Sequence, residues 1–348
     1  MSKILILGAG AMGTAFSVPC LDRQHQVKIV GTHLEDKFID KLKKNNGLHP
    51  SLKICLSKET DMVKYNNLAN ELKKRPDLIV LAVSSKGINW VADQLSIMSH
   101  GRNLPPILML TKGLSFNENS YELLVNKLER LLISKGFKDI NVSAVGGPCL
   151  AGELANKVHT SVVFANKDIE SVKWLKEILA TSYYHPSISD DIIGVEVCAA
   201  IKNIFSMIIG TSRGHCNDSM EDKFKENNYF NTEASLMRQS LHEMSLFVSF
   251  LKGNKNTVYG LAGLGDLYVS TKGGRNSKIG ICMGKGYVYS EAKKLIMPTE
   301  TVEGAELAFE IGSNIKNDFN INQMPLMIGM IDAIIDDKKF VINWNDIQ

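Results

Sequence analysis

Three closely spaced glycines near the amino terminus follow a short apolar run. Gly8, Gly10 and Gly13 form a GxGxxG motif directly after residues 4–7 and at the start of a predicted helix. In this context Gly8 permits a tight turn, Gly10 lets the backbone approach a pyrophosphate, and Gly13 allows close contact between helix and sheet. The free N–H groups at the helix start attract phosphate. The motif predicts a nicotinamide dinucleotide site, and a tight turn in another kind of α/β protein is the alternative.

The residues after the second predicted strand bear on the choice of dinucleotide. An acid about 20 positions beyond the glycines binds the ribose hydroxyls of NAD, whereas an arginine nearby accommodates the 2′-phosphate of NADP. This chain has Gly31, Thr32 and His33 at that place, without an arginine. Its first acids, Glu35 and Asp36, come slightly later. The sequence therefore leaves the cofactor open as NAD or NADP.

A lysine within an apolar segment is the second feature that could do chemistry. Residues 192–209 predict a helix that is apolar nearly all round, with Lys202 and Asn203 within it. A buried ammonium needs an anionic partner or a depressed pKa, and these conditions suit a general acid or base. The alternative is a lysine whose stem reaches the surface. Glu196 lies on a different face of the helix and is not an obvious partner.

A glycine-rich segment that ends in an acid supplies the candidate partner. Asp266 follows residues 260–265 and precedes an apolar run. It could equally cap a helix, and the two roles are compatible. Further along, Ser270 is followed by two glycines and then by Arg275 and Asn276. A guanidinium and a carboxamide at such a turn suit a phosphate or a carboxylate, although an exposed basic turn is the alternative.

The first half of the chain alternates short apolar runs with helical patterns. The predicted strands cover residues 4–7, 27–30, 78–83, 107–110 and 161–165, and the predicted helices cover residues 11–23, 88–99 and 121–134. This alternation predicts an α/β fold with a doubly wound parallel sheet, buried on both faces.

The second half predicts only helices. They cover residues 192–209, 232–251, 303–315 and 325–334, and the polar residues 213–231 predict a long exposed loop. We therefore predict a dinucleotide-binding domain at residues 1–188 and a helical substrate-binding and catalytic domain at residues 189–348. The apolar residues 325–334 could pair two copies in a homodimer or pack within one chain.

Composition and charge narrow the class of protein. The chain has 348 residues, enough for two domains, and a formal net charge of +3 gives no case for nucleic acid or a membrane surface. The six cysteines form no CxxC pair, and neither they nor the histidines predict a metal site. The longest apolar stretch, residues 195–209, contains Lys202 and is expected to be too short to cross a bilayer. We expect a cytoplasmic protein.

In their order and spacing, these motifs resemble those of the NAD(P)-dependent glycerol-3-phosphate dehydrogenases, nearly from end to end. The matching pieces are residues 8–13, 111–113, 147–148 with Ala151, 200–203, 260–266, 274–276 and 302–304. Seven motifs in one order are more specific than any one of them.

The resemblance implies an N-terminal Rossmann-type domain, an all-helical C-terminal domain, and hydride transfer between the nicotinamide and dihydroxyacetone phosphate. It implies that Lys202 is the general acid/base at the carbonyl group. The expected catalytic residues are Lys202, Asp266, Lys112 and Asn203. The expected substrate-binding residues are Lys112, Arg275, Asn276 and Ser270. The expected cofactor-binding residues are Gly8, Gly10, Ala11, Met12, Gly13, Ala151, Arg275 and Glu303.

Two departures from the family pattern bear on the cofactor and the substrate. Ala11 and Met12 stand where bacterial members usually have serine and tryptophan, and residues 213–231 are longer and more polar than the corresponding loop. When the core of a fold is retained and a loop near its site differs, the protein can act on a different substrate. The same chemistry on another phosphorylated or carboxylated polyol or keto compound is therefore the main alternative. A non-catalytic dinucleotide sensor ranks last, because it would not need Lys202 and Asp266.

Overall fold

The computed structural model describes residues 1–57, 59–99, 103–215 and 229–347. The chain divides into two compact units. The first unit contains Met1–Lys112 and Leu123–Glu196, and the second contains Gly113–Glu122 and Val197–Gln348. The units change over between residues 196 and 197, and the domain boundary after residue 188 stays a prediction.

The strands form one large sheet and two small pairs. In chain order they are β1 (Lys3–Leu7), β2 (Gln26–Val30), β3 (Leu48–His49), β4 (Ile54–Cys55), β5 (Asp61–Val63), β6 (Leu78–Leu81), β7 (Ile107–Met109), β8 (Leu114–Asn117), β9 (Ser120–Leu123), β10 (Val142–Gly146), β11 (Thr160–Ala165) and β12 (Tyr184–Ser189). The large sheet has the order β12-β11-β10-β7-β6-β1-β2-β5, while β3 pairs with β4 and β8 with β9. Its neighbouring strands are parallel except for β10 and β11.

Helices connect the strands and then make up most of the second unit. They are α1 (Ala11–Asp22), α2 (Asp36–Lys44), α3 (Leu68–Lys73), α4 (Ile88–Ser99), α5 (Leu124–Ser134), α6 (Ala151–Ala155), α7 (Ile169–Leu179), α8 (Ile192–Gly214), α9 (Phe230–Phe250), α10 (Asp266–Thr271), α11 (Arg275–Gly284), α12 (Tyr289–Ile296), α13 (Glu303–Asp318) and α14 (Pro325–Ile335).

The central strands are apolar at nearly every position because both faces of the sheet are covered. In β1, Ile4 and Ile6 belong to a core cluster that also contains Phe16 of α1 and Leu175 of α7. The alternate residues of the strand point to the opposite face, and they are buried as well. The predicted α/β class with a parallel sheet is confirmed, and β1 ends at the turn that carries the glycine motif.

A hairpin replaces part of a predicted helix. Residues 121–123 were expected to begin a helix, but they belong to β9, and α5 begins at Leu124. Glu118 and Asn119 between β8 and β9 both have positive φ, at 47° and 62°. Two such residues make the tight turn that suits a β-hairpin. Strands β10 and β12 were not predicted, and β6 ends at Leu81, two residues before the predicted end.

The second unit combines this hairpin with helices. The described residues after 196 contain helices and turns and no strand, as predicted for the second half. The hairpin is an addition that the all-helical prediction lacks. Tyr121 holds it to the helices, because its hydroxyl donates to Asp318 of α13 at 2.7 Å and its ring packs edge-on against Phe247 of α9, with 5.2 Å between the ring centroids.

Helix α8 is longer than expected. It has 23 residues and is long and apolar enough to cross a membrane, so the prediction that this stretch is too short was wrong. However, 89% of its apolar window is buried inside the protein, as in a core helix. Its last residues are Arg213 and Gly214, which were expected in the loop. Of that predicted loop, residues 216–228 lie outside the described residues.

Helices α8 and α11 approach closely through glycines. A Cβ atom at Gly280 would overlap the carbonyl oxygen of Met207, and one at Gly284 would overlap that of Thr211. The two backbones are therefore in direct contact. Helix α14 buries Leu326, Met327, Ile328, Met330, Ile331, Ala333 and Ile334 within the same chain. Its apolar side is thus already covered, and a homodimer stays a prediction.

Candidate active site

The glycine turn lies at the carboxyl end of β1. Gly8 has a φ of +117°, and its N–H donates to Val30 of β2 at 2.9 Å. Side chains are excluded at two positions, because a Cβ at Gly8 would overlap the carbonyl oxygen of Ala82 and one at Gly13 would overlap that of Gly8. At Gly10 the nearest described atom to a Cβ would be 3.7 Å away. The turn is therefore pressed against the sheet while the backbone at Gly10 stays accessible.

The start of α1 is suited to an anion. Gly10 is its N-cap residue, no side chain caps the helix, and no acid lies in its first turn. The N–H groups of the first turn, which includes Ala11, Met12 and Gly13, have no partner within the helix. They and the helix dipole favour a phosphate at this end. The residues present therefore fit the pyrophosphate of a dinucleotide.

Glu35 is a residue of this site that the sequence analysis did not assign. Its carboxylate accepts hydrogen bonds from the backbone N–H groups of Ala9, at 3.0 Å, and Thr32, at 2.7 Å. Glu35 comes slightly later in the sequence than the usual position of the acid that binds the ribose hydroxyls. The turn between β2 and α2, which returns Glu35 towards the glycines, was the missing information.

Two further predicted residues lie in the first unit, after other strands of the sheet. Lys112 is half-buried beyond the end of β7, and its Nζ donates to the carbonyl oxygen of Gly147 at 3.4 Å. Thr111 beside it donates to Val83 at 2.8 Å, which ties this segment to the end of β6. Ala151 is half-buried and begins α6.

The second unit brings Lys202 and Asp266 together. Lys202 is 7% exposed and Asp266 is 2% exposed. The Nζ atom of Lys202 lies 2.7 Å from Oδ1 of Asp266 and 2.6 Å from the hydroxyl oxygen of Ser270. The pairing predicted for Lys202 is therefore present, and the alternative of a lysine that reaches the surface is wrong.

The backbone before α10 places the acid. Leu261–Gly265 form a π-helical turn, and such turns occur frequently at functional sites. Gly265 is the N-cap residue of α10, so Asp266 is its first helical residue and not the cap. Ser270 lies one turn later on the same face, and its hydroxyl donates to the carbonyl oxygen of Asp266 at 2.7 Å. The acid and the hydroxyl thus approach Lys202 from one short helix.

A second cluster joins α8, α11 and α13. The Nδ2 atom of Asn276 lies 3.1 Å from Oδ1 of Asn203 and 3.4 Å from a carboxylate oxygen of Glu303. Its Oδ1 accepts the N–H of Gly304 at 2.8 Å. Glu303 also forms an ion pair with Arg275, whose side chain is 50% exposed. The buried amide of Asn276 therefore connects two other predicted site residues, Asn203 and Glu303.

The two clusters offer different chemistry. A buried ammonium that a carboxylate and a hydroxyl hold in place can give a proton to an oxygen that gains negative charge, or take it back. A half-exposed guanidinium beside a carboxamide suits phosphate oxygens, which accept several charged hydrogen bonds. A proton donor and a phosphate-binding group of these kinds are what the oxidation or reduction of a phosphorylated alcohol or ketone needs.

Known proteins match this chain along nearly its whole length. The family models for the N-terminus and the C-terminus of NAD-dependent glycerol-3-phosphate dehydrogenase match residues 3–172 and 191–343. An NADP(+)-dependent glycerol-3-phosphate dehydrogenase of Archaeoglobus fulgidus is 30% identical over 325 residues, covering 90% of this chain and 91% of that protein. A glycerol-3-phosphate dehydrogenase [NAD(P)+] of Francisella tularensis subsp. novicida is 29% identical over 327 residues, covering 93% and 90%.

The fold agrees with these matches. The crystal structure of glycerol-3-phosphate dehydrogenase from Coxiella burnetii superposes with a TM-score of 0.79 at 25% sequence identity. The superposition covers 100% of this chain and 98% of that one. From both sequence and fold, the chain belongs to the NAD-dependent glycerol-3-phosphate dehydrogenase family.

Proposed function

We propose that this protein catalyses reversible hydride transfer between sn-glycerol 3-phosphate and dihydroxyacetone phosphate, with NAD or NADP as its cofactor. The observation that carries the proposal is the buried ion pair of Lys202 and Asp266, in a chain of this family. An ammonium is costly to bury, and a paired ammonium beside a hydroxyl is what proton transfer to a carbonyl oxygen requires. We expect the protein to act in the cytoplasm, on a small phosphorylated substrate.

The cofactor would be held by the glycine turn and the start of α1. Gly8, Gly10 and Gly13 admit the backbone to the pyrophosphate, and the first turn of α1 with Ala11 and Met12 supplies N–H donors. The family resemblance adds Ala151, Arg275 and Glu303 to the cofactor-binding residues. The nicotinamide, when bound, supplies the hydride or takes it up.

Lys202 would manage the proton of the reaction. When a hydride reaches the carbonyl carbon, the oxygen becomes an alkoxide, and Lys202 would donate a proton to it. Asp266 and Ser270 hold the ammonium in one position, which lowers the cost of aligning it. In the reverse direction Lys202 would accept the proton of the hydroxyl group.

The remaining predicted residues would bind the substrate. We propose that Lys112, Arg275 and Asn276 bind the phosphate, and that Ser270 and Asn203 position the groups around Lys202. Glu303 keeps Arg275 in place through its ion pair, so the guanidinium does not have to be ordered by the substrate alone.

Turnover with a lysine variant tests this function. Purified protein would be mixed with dihydroxyacetone phosphate, and the oxidation of NADH and of NADPH would be followed in parallel. We expect turnover with at least one cofactor, and a loss of about 10²–10⁴-fold in kcat/KM for Lys202→Ala, the usual size of a general acid's contribution. Lys294→Ala, which removes an exposed lysine of α12, is the matched control and should keep full activity.

The result distinguishes between the two hypotheses about the substrate. Binding of a reduced cofactor without turnover of dihydroxyacetone phosphate would contradict the proposed substrate and favour another phosphorylated or carboxylated compound. Turnover that persists in Lys202→Ala would contradict the role of the lysine. Binding of NADH to the variant, followed by nicotinamide fluorescence, would show that the loss concerns catalysis and not the fold.

A further inference from the structure

Glu35 is turned back from the start of α2 towards the glycine motif. Its N–H donates to the carbonyl oxygen of Thr32 at 3.0 Å, which closes a tight turn after β2. Its side chain then reaches over this turn, and one carboxylate oxygen accepts the N–H groups of Thr32 and Ala9. The carboxylate is thus held by the N–H groups of Ala9 and Thr32, two residues that are 23 positions apart in the sequence.

The carboxylate bridges the turns that follow the first two strands of the sheet. Ala9 belongs to the turn after β1, and Thr32 follows β2, the neighbouring strand. The other carboxylate oxygen would lie 3.7 Å from a Cβ at Gly10. In sheets of this kind the pyrophosphate binds at the glycine turn, and the ribose hydroxyls bind an acid beyond the second strand. The turn at residues 31–35 therefore compensates for the late position of Glu35 in the sequence.

We propose that Glu35 binds the ribose hydroxyls of the cofactor and makes the enzyme selective for NAD over NADP. The inference rests on the proposed function in so far as the cofactor is a nicotinamide dinucleotide. A 2′-hydroxyl can donate to the carboxylate, and a hydrogen bond to a charged acceptor is comparatively strong. NADP carries a phosphate in place of that hydroxyl, and its charge of about −2 would be repelled by the carboxylate.

The turn itself has no lysine or arginine that would offset this repulsion. Residues 31–36 contain neither lysine nor arginine. In the same turn, the ring of His33 packs against the ring of Trp90, with 5.0 Å between the centroids. The turn thus offers the cofactor a carboxylate and an aromatic surface, which suit a ribose with free hydroxyls better than a phosphate.

Direct binding of the two reduced cofactors tests the proposal without any substrate. The dissociation constants for NADH and NADPH would be measured from the fluorescence of the nicotinamide. We expect the wild-type protein to bind NADH at least tenfold more tightly than NADPH. Glu35→Gln should reduce this preference at least tenfold, because the amide keeps an oxygen for Ala9 and Thr32 but loses the charge. Circular dichroism would verify that the variant is folded.

A neighbouring acid provides the matched control. Asp40→Asn removes one negative charge from α2, where Asp40 is paired with Lys64. It should leave the preference unchanged. Equal or tighter binding of NADPH by the wild-type protein, or an unchanged preference in Glu35→Gln, would overturn the proposal. A preference for NADH in a protein that does not turn over dihydroxyacetone phosphate would support this inference and contradict only the proposed substrate.

Discussion

Lys202 and Asp266 form a buried ion pair. Their side chains are 9% and 3% exposed, so water contributes little to solvating either charge. Removing one member of such a pair leaves a buried charge without compensation, whereas replacing both by apolar residues removes the desolvation cost altogether. The pair is therefore weak evidence for a gain in stability, which agrees with the catalytic role proposed for Lys202.

We expect a double substitution at this pair to be more stable than either single one. Lys202→Met and Asp266→Leu should each lower the free energy of unfolding by about 3–5 kcal/mol, and the two together should recover most of that loss. Urea unfolding of the three variants measures this. The double variant should be inactive although folded. A loss in the double variant equal to the sum of the single losses would contradict a pair that is retained for catalysis.

At the scale of elements, the glycine contact between α8 and α11 determines how the second cluster is assembled. Asn203 lies on α8 and Asn276 in the first turn of α11, and their amides are 3.1 Å apart. This distance is possible because the helices touch at Gly280, where a side chain would meet the backbone at Met207. A separation of the helices would therefore break the contact of the two amides before it disturbed either helix.

Gly280→Ala tests the importance of this contact. The added methyl group has no space and should lower the free energy of unfolding by about 1–3 kcal/mol, as overpacking usually does. Activity should fall as well, since Asn276 would move relative to Asn203. Gly152→Ala is the matched control, because a Cβ there would meet nothing within 4 Å and helix propensity favours alanine. Thermal unfolding of both variants measures the loss of stability in each. Equal losses in the two variants would contradict the role of the contact.

At the scale of the whole molecule, two buried carboxyl groups make stability depend on pH. Burial raises the pKa of Glu196 to about 8, although the N–H of Val125 partly offsets it. Burial likewise raises the pKa of Glu243 to about 7, against hydrogen bonds from Leu326 and Met327 at the start of α14. Between about pH 4.5 and these values, the folded chain keeps protons that the unfolded chain has released. Their contribution to stability is therefore present below pH 4.5 and is lost as the pH rises.

We expect Glu196→Gln to weaken this dependence. The amide cannot ionise, so the variant should lose less stability than the wild-type protein between pH 5.5 and pH 7.5, by roughly 2 kcal/mol at about 1.4 kcal/mol per pKa unit. Urea unfolding at both pH values measures the difference. Glu170→Gln, at a position whose side chain is 72% exposed, should keep the wild-type dependence. An identical dependence in Glu196→Gln would show that Glu196 is already ionised in the folded protein.

Local patterns were sufficient for the features that depend on neighbours in the sequence. The glycine motif after an apolar strand, the apolar helix around Lys202 and the run from Ser270 to Asn276 are each formed within a few turns of chain. Hydrophobic periodicity and turn chemistry act over the same distance. The class of fold, and the residues proposed for the site, were therefore accessible from the sequence by itself.

The tertiary structure decided what depends on residues far apart. It brought Ser270 as well as Asp266 to Lys202, returned Glu35 to the glycine turn, and assigned the hairpin of residues 113–122 to the second unit. It also made a 23-residue helix a core helix instead of a membrane span. Each of these outcomes follows from burial and hydrogen bonds between segments that the sequence does not place side by side, and a short-range pattern carries no information on such contacts.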